Sequence, residues 1–148
     1  MSNRERRRAL IADDHGLYRM GLAFLLKDRL GLDEVIEVGG FDDALDRLAA
    51  NPDIAMALFD LSMPGMGGPE SLDVVKETYP DVKVAVVSGS EEREHVLKAV
   101  SIGLSGYVPK GLSEDEIAKA LQLILDGHVY IPVFMTAAAK PRSARPEA

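Results

Sequence analysis

The chain has 148 residues, of which 47% are hydrophobic and 28% charged, and its formal net charge is −7. This length and apolar content suit one folded domain and exclude a chain that is disordered throughout. Cysteine is absent, which excludes disulfides and thiolate metal sites, and no apolar run is long enough to cross a bilayer. We therefore expect a cytoplasmic protein that does not bind membranes.

Charge is distributed unevenly along the chain. Residues 9–139 contain 10 basic and 22 acidic residues, a net charge of −12, whereas both ends are basic. A segment this acidic repels the phosphate backbone of nucleic acid, so we expect no DNA binding by it alone. The pattern predicts a basic N-terminal extension over residues 1–7, one domain over 8–132 and a linker-like tail over 133–148.

From residue 8 to 126, short apolar runs alternate with longer stretches of helical period. This alternation is typical of βαβ units, and the apolar runs suit a parallel sheet covered on both faces. The sequence therefore predicts an α/β fold with a doubly wound, five-stranded parallel sheet. The predicted strands cover residues 8–12, 34–38, 54–59, 82–87 and 106–108.

The stretches between the strands carry apolar residues at helical spacing, which predicts stripes that face the core. The last helix begins with a capping box, in which the Ser113 hydroxyl and the Glu116 carboxylate satisfy each other's free backbone donors. The predicted stripes are Leu17, Met20 and Phe24 with Leu25; Leu45 with Leu48; Leu72 with Val75; Val96 with Val100; and Ile117, Leu121 and Ile124.

Polar residues follow the predicted strands at the edge where parallel α/β sheets place their ligands. Asp13 and Asp14 follow the first strand, Asp60 the third, Ser88 the fourth and Lys110 the fifth. Carboxylates about 4 Å apart repel by roughly 4 kcal/mol at an effective dielectric constant near 20, so three acids together need a cation or a proton. Oxygen ligands favour a hard ion such as Mg²⁺.

Asp60 is the best-placed nucleophile toward phosphorus among these acids. With strand order 2-1-3-4-5, the strand before Asp60 is the central one. The residues after Asp60 form a turn that can present the backbone carbonyl of Ser62 as a further metal ligand. A metal and Lys110 would then balance the charge on the transferred oxygens.

Four motifs occur in a specific order and at specific intervals. They are Asp13-Asp14-His15 with Arg19, Asp60-Leu61-Ser62-Met63-Pro64-Gly65-Met66, Val86-Val87-Ser88, and Gly106-Tyr107-Val108-Pro109-Lys110. Together they resemble the receiver domain of two-component response regulators of the NarL/FixJ (LuxR-type) class, over about residues 8–132. The resemblance implies a flavodoxin-like sheet with strand order 2-1-3-4-5.

The resemblance also implies roles for the acids. Asp60 would accept a phosphoryl group from a sensor histidine kinase, Asp14 would bind Mg²⁺ directly, and Asp13 would act largely through water. The domain would then be no enzyme on external substrates, because it would catalyse only its own phosphorylation and dephosphorylation.

The remaining motif residues would read out the phosphorylation. By the resemblance, Ser88 and Lys110 hold phosphoryl oxygens, and Tyr107 turns inward as Ser88 moves toward the phosphate. Phosphorylation could favour a homodimer. The class usually carries a helix-turn-helix output domain, so we expect a transcription regulator whose DNA-binding domain lies beyond Ala148. The alternative is a stand-alone receiver that acts through protein contacts.

Two other classes of protein would use a similar residue set. A haloacid dehalogenase-like phosphatase usually needs a second acid two places after its nucleophile, where this chain has Ser62. A receiver-like interaction module that is never phosphorylated typically lacks an acid or the lysine, and all of these are present here. The three histidines, His15, His95 and His128, are expected to be structural or exposed to solvent.

Overall fold

A computed structural model describes residues 7–132 of the chain. Its strands are β1 (Arg8–Ala12), β2 (Glu34–Val38), β3 (Met56–Phe59), β4 (Lys83–Ser88) and β5 (Gly106–Pro109). Its helices are α1 (Gly16–Leu30), α2 (Phe41–Ala50), α3 (Asp73–Thr78), which follows a 3-10 turn at Pro69–Leu72, α4 (Arg93–Ser101) and α5 (Glu114–Leu125). The predicted basic extension and linker-like tail lie almost entirely outside the described residues.

The five strands form one parallel sheet in the order β2-β1-β3-β4-β5, which confirms the predicted fold. Strands β1 and β2 have the predicted bounds, whereas β3 begins two residues later than predicted. The reason is local: the Ile54 N–H donates to Asn51 O in a turn, and ladder pairing begins only where Met56 lies beside Ala9. An apolar residue is expected to be buried but need not lie in a strand, and Ile54 is buried although it precedes β3.

Two apolar clusters cover the two faces of the sheet, as expected for parallel strands buried on both sides. Along β1, Leu10 belongs to the cluster that includes residues of α2, α3 and α4, while Ile11 belongs to the cluster that includes residues of α1 and α5. Because side chains alternate along a strand, each strand contributes to both clusters. The sheet edge at the strand carboxyl ends is left free for a site.

The predicted core stripe of α1 is wrong for three of its four residues. Leu17, Met20 and Phe24 are 86%, 61% and 67% exposed. Helix α1 carries apolar residues around most of its circumference, so their spacing does not decide which face meets the sheet. The residues that α1 buries are Leu22, Ala23, Leu25, Leu26 and Leu30.

Helix α5 agrees with the prediction in both its start and its buried face. The Glu116 N–H donates to Ser113 Oγ (3.2 Å) and the Ser113 N–H donates to Glu116 Oε1 (2.9 Å), which completes the capping box. Ile117, Leu121 and Ile124 are buried. Within residues 7–132, none of the helices combines the length and the apolar content that a membrane span requires.

Candidate functional site

Backbone hydrogen bonds fix the residues that follow β1, β3 and β5 at one edge of the sheet. Each bond continues the ladder by one step beyond the strand, so the side chains leave from rigid positions. The bonds join Asp13 N to Val38 O (3.0 Å), Asp60 N to Ala12 O (2.9 Å) and Lys110 N to Ser88 O (2.8 Å). The sheet itself therefore brings two acids and a lysine together.

Asp60 is only 2% exposed, and its carboxylate has several partners. Ser62 Oγ donates to Asp60 Oδ2 (2.9 Å), the Ser62 N–H donates to Oδ1 (3.4 Å), and Lys110 Nζ donates to Oδ2 (3.2 Å). Burial alone would raise the pKa of Asp60, but the Ser62 hydrogen bonds and the Lys110 charge together hold that pKa below its usual value. Asp60 is therefore an anion at neutral pH.

Asp13 is 1% exposed and lies beside the same lysine. Lys110 Nζ is 2.8 Å from Asp13 Oδ2, and the Arg19 guanidinium donates to the Asp13 backbone carbonyl (2.7 Å). The Lys110 ammonium also lies 4.7 Å from the centre of the Tyr18 ring. One ammonium therefore contacts two buried carboxylates and is held in place by an aromatic face.

The site keeps an excess of negative charge despite Lys110. Burial, followed by the charges of Asp13 and Asp60, raises the pKa of Tyr18 to about 12. Asp14 adds a third carboxylate, whose side chain is 38% exposed and faces the same group of ligand atoms. Three carboxylates and one ammonium leave an anionic cluster, which suits a divalent cation.

The acid oxygens are close enough to share one ion. One oxygen each from Asp13, Asp14 and Asp60 and a ring nitrogen of His15 all lie within 4.8 Å of one another. Hard cations such as Mg²⁺ take carboxylate and carbonyl oxygens, so the chemistry of these donors fits that ion. The exposed side of Asp14 supplies an approach from solvent.

A second group of polar residues continues from the site into the β4–α4 loop. Ser88 is 2% exposed, and its Oγ accepts from the Ser90 N–H (3.1 Å). Tyr107 is 1% exposed, and its hydroxyl donates to the Ser90 carbonyl (2.7 Å). The Ser90 hydroxyl in turn lies 2.8 Å from His95 Nδ1 of α4. Tyr107 thus already points inward, and one loop residue connects it to Ser88.

An open cavity of about 320 Å³ adjoins these residues. Asp60, Ser88 and Lys110 line it together, so a small group bound there would meet the carboxylate, the hydroxyl and the ammonium at once. The remaining lining residues are His15, Leu61, Ser62, Gly89, Ser90 and His95.

The structure brings together the residues that the sequence placed at this edge, and it adds two histidines that were expected to be structural or exposed to solvent. His15 joins the acid group and His95 lines the cavity. The position of His15 directly after Asp13 and Asp14 is the sequence feature that could have placed it at the site. Nothing in the sequence around His95 marks it, because its contact with Ser90 depends on how α4 packs.

Comparisons with known proteins agree with this architecture. Residues 9–122 match the family described as the response regulator receiver domain. The chain is 34% identical over 123 residues to the "Glycerol metabolism activator" of Pseudomonas putida, and 34% identical over 125 residues to "Response regulator GacA" of Pseudomonas viridiflava. These matches cover 83% and 84% of this chain but 56% and 58% of the relatives, so the chain spans little more than half their length.

Solved structures give the same result. A LuxR-family two-component response regulator from Aurantimonas sp. superposes with a TM-score of 0.81 at 26% identity, over 93% of this chain and 99% of that one. The receiver domain of a response regulator described as NarL from Mycobacterium tuberculosis gives a TM-score of 0.75 at 29% identity, over 84% and 100%. The resemblance seen in the sequence motifs is confirmed, and the chain belongs to the response regulator receiver domain family.

Proposed function

We propose that this receiver domain accepts a phosphoryl group on Asp60 and changes conformation in response. The observation that carries the proposal is the buried Asp60 carboxylate with Lys110 at 3.2 Å, facing an open cavity beside two further acids. Burying an anion beside a single ammonium and other acids costs free energy. A group that is kept at this cost is a candidate for a functional role. If Asp60 is a nucleophile toward phosphorus, the carboxylate, the ammonium and the two further acids all have a role.

Mg²⁺ is the proposed cofactor. Asp14, Asp60 and the Ser62 backbone carbonyl would hold it, with Asp13 acting through water. When bound, the ion neutralises acid charge and charge on the phosphoryl oxygens.

The chain's own residues would carry the transfer. An Asp60 carboxylate oxygen forms the new bond to phosphorus as the bond from phosphorus to the histidine nitrogen of the kinase breaks, and that nitrogen keeps the electron pair. Lys110 stays within reach of the transferred oxygens, and the Ser88 hydroxyl lines the same cavity. Ser88 Oγ accepts from the Ser90 N–H, and its own O–H would turn to donate to a phosphoryl oxygen.

A movement of Ser88 toward the phosphoryl group suggests how phosphorylation could be transmitted. Ser90 contacts Ser88 through its N–H, Tyr107 through its carbonyl and His95 through its hydroxyl. Movement of Ser88 therefore changes the support of both the buried tyrosine and α4. A shift between two such packings needs only a few kcal/mol of differential stability.

We further propose a sensor histidine kinase as the phosphoryl donor, a homodimer as one outcome of phosphorylation, and transcription as the output of the whole protein. Support for the output comes from similar structures described as DNA-binding response regulators of the LuxR family, one of them from Silicibacter pomeroyi at 27% identity. The charge of −12 over residues 9–139 argues that a separate domain would contact DNA. The second candidate remains a stand-alone receiver, and reading the parent gene past codon 148 separates the two.

Intact-mass spectrometry after incubation with acetyl phosphate and Mg²⁺ tests the phosphorylation. The wild type should gain one phosphoryl mass and Asp60→Asn should gain none, because the amide keeps the shape but loses the anionic nucleophile. Asp81→Asn, an exposed acid before β4, is the matched control and should behave as wild type. Equal labelling of Asp60→Asn, or no labelling of the wild type, would overturn the proposal.

Thermal unfolding with and without Mg²⁺ tests the metal site separately. The melting temperature of the wild type should rise with Mg²⁺, because an ion that binds only the folded state stabilises it and relieves acid repulsion. Asp14→Ala should show a smaller rise. An equal rise in both proteins would place the ion elsewhere.

A further inference from the structure

His15 is the residue at the acid cluster that the proposed function leaves without a role. It is the N-cap residue of α1, and its backbone N–H donates to Asp13 Oδ1 (2.8 Å), which fixes the start of its side chain beside the acids. Its Nδ1 is 3.2 Å from Asp13 Oδ1, 3.5 Å from Asp14 Oδ1 and 3.4 Å from Asp60 Oδ2. One ring nitrogen thus faces an oxygen of each acid at nearly equal distances.

An exposed histidine does not need to direct a ring nitrogen toward acids. The His15 side chain is 62% exposed, so it has room to point Nδ1 into solvent, yet the nitrogen lies among three carboxylates and 3.2 Å from Lys110 Nζ. Lys110 Nζ has only protons to offer, so in this contact Nδ1 presents its lone pair toward the space that the carboxylate oxygens face. A cation bound to the acids would therefore lie within reach of a nitrogen ligand.

We propose that His15 Nδ1 is a direct ligand of the divalent cation in this site, which makes the site receptive to first-row transition ions as well as to Mg²⁺. The inference rests on the proposed function only in that the acids must hold a divalent cation. Oxygen ligands alone suit Mg²⁺, whereas imidazole nitrogen suits ions such as Ni²⁺ and Co²⁺, whose affinity for mixed nitrogen and oxygen sites is intrinsically higher. His15 would thus set which cations compete for the site.

Pulsed EPR of the Mn²⁺-loaded protein tests the ligand directly, because the electron spin of the ion couples to a coordinated ¹⁴N nucleus. The wild type should show a coupling typical of imidazole nitrogen, and His15→Ala should lose it. His128→Ala is the matched control, since His128 is exposed near the end of the described residues, and it should keep the coupling. Circular dichroism establishes that each variant is folded.

Calorimetric titration measures the effect on selectivity. Loss of even an outer-shell partner of a metal ligand costs about 10- to 100-fold in affinity, so loss of a direct ligand should cost at least about tenfold. The Ni²⁺ affinity should therefore fall at least about tenfold in His15→Ala, and by a larger factor than the Mg²⁺ affinity, because imidazole suits Ni²⁺ better. The ratio of the two affinities should stay constant in His128→Ala. An unchanged ratio in His15→Ala would overturn the proposal.

Two spectroscopic results would also overturn it: no nitrogen coupling in the wild type with Mn²⁺ bound, or a coupling that survives in His15→Ala. Failure of the wild type to bind Mn²⁺ would do the same. Phosphorylation with acetyl phosphate and Mg²⁺ is scored separately by intact mass. Absent phosphorylation with an intact nitrogen coupling would refute the proposed function and leave the His15 ligand standing, whereas the reverse pair of results would refute only the ligand.

Discussion

Two neighbouring regions depart from the rule that charges lie outside and apolar groups inside, in opposite directions. At the sheet edge, Asp13 and Asp60 are 1% and 2% exposed, whereas on the outer face of α1, Leu17 and Phe24 are 86% and 67% exposed. The difference lies in cost. A buried charge is expensive and must be compensated by partners, whereas an exposed apolar side chain keeps in the folded state the hydration that it has in the unfolded chain. Only the first departure therefore requires the compensating partners that assemble the site described here.

The greatest loss of stability is expected from a substitution on the buried face of α1. Leu26 is fully buried against the sheet. Leu26→Ala should lower the free energy of unfolding by about 3 kcal/mol, because it removes apolar contacts and leaves a cavity. Urea denaturation measures this, and a loss below about 1 kcal/mol would show that α1 does not pack as described.

The next largest effect is expected at the sheet edge. Lys110→Met keeps the aliphatic stem but removes the ammonium that contacts Asp13 and Asp60. Because removing one partner of a buried ion pair costs about 3–5 kcal/mol, and this lysine is partly exposed, we expect a loss of about 2 kcal/mol. Mg²⁺ should restore part of it. Lys119→Met, at an exposed position of α5, is the control and should be nearly neutral, and equal losses in the two variants would refute this role of Lys110.

A smaller effect is expected from acid. The folded state holds the pKa of Asp60 below its ordinary value of 3.8, so the anion contributes stability that is fully present above that ordinary value. As pH falls below it, the unfolded state takes up the proton first, and the contribution is lost as pH approaches the folded pKa. Unfolding free energies measured between about pH 6 and pH 3 should fall more steeply for wild type than for Asp60→Asn. Parallel curves for the two proteins would show that the folded state does not lower the pKa of Asp60.

The smallest effect is expected on the outer face of α1. Phe24→Ser should change the free energy of unfolding by no more than about 0.5 kcal/mol, because substitutions at exposed positions usually stay within that range. The same urea experiment that measures Leu26→Ala measures this variant. A loss above about 1 kcal/mol would mean that Phe24 is covered in the folded protein, which would remove the contrast between the two regions.

The contrast also explains what the sequence could predict. The number of strands followed from apolar runs that alternate with helical stretches, and the capping box located the start of α5. The strand order followed from the resemblance to receiver domains. The stripe of α5 was right because its exposed face is mostly polar. Helix α1 instead offers two apolar faces, and only the packed sheet selects Leu22 and Leu26 over Leu17 and Met20.

At the site, the positions of Asp13, Asp60, Ser88 and Lys110 were predictable because parallel strands deliver whatever follows them to one edge. The directions in which the histidine side chains point were not predictable from the sequence. Whether His15 points into the acids depends on how its N-cap position is held, and the contact of His95 with Ser90 depends on where α4 packs. Neither is set by the spacing of residues.

Mapping the modification to a single residue tests directly whether Asp60 carries the phosphoryl group. Borohydride reduces an acyl phosphate to an alcohol, so phosphorylated aspartate becomes homoserine, which peptide mass spectrometry can assign to one position. After treatment with acetyl phosphate and Mg²⁺, we expect homoserine at position 60 and unchanged aspartate at positions 13 and 14. Homoserine at another position, with Asp60 unmodified, would contradict it.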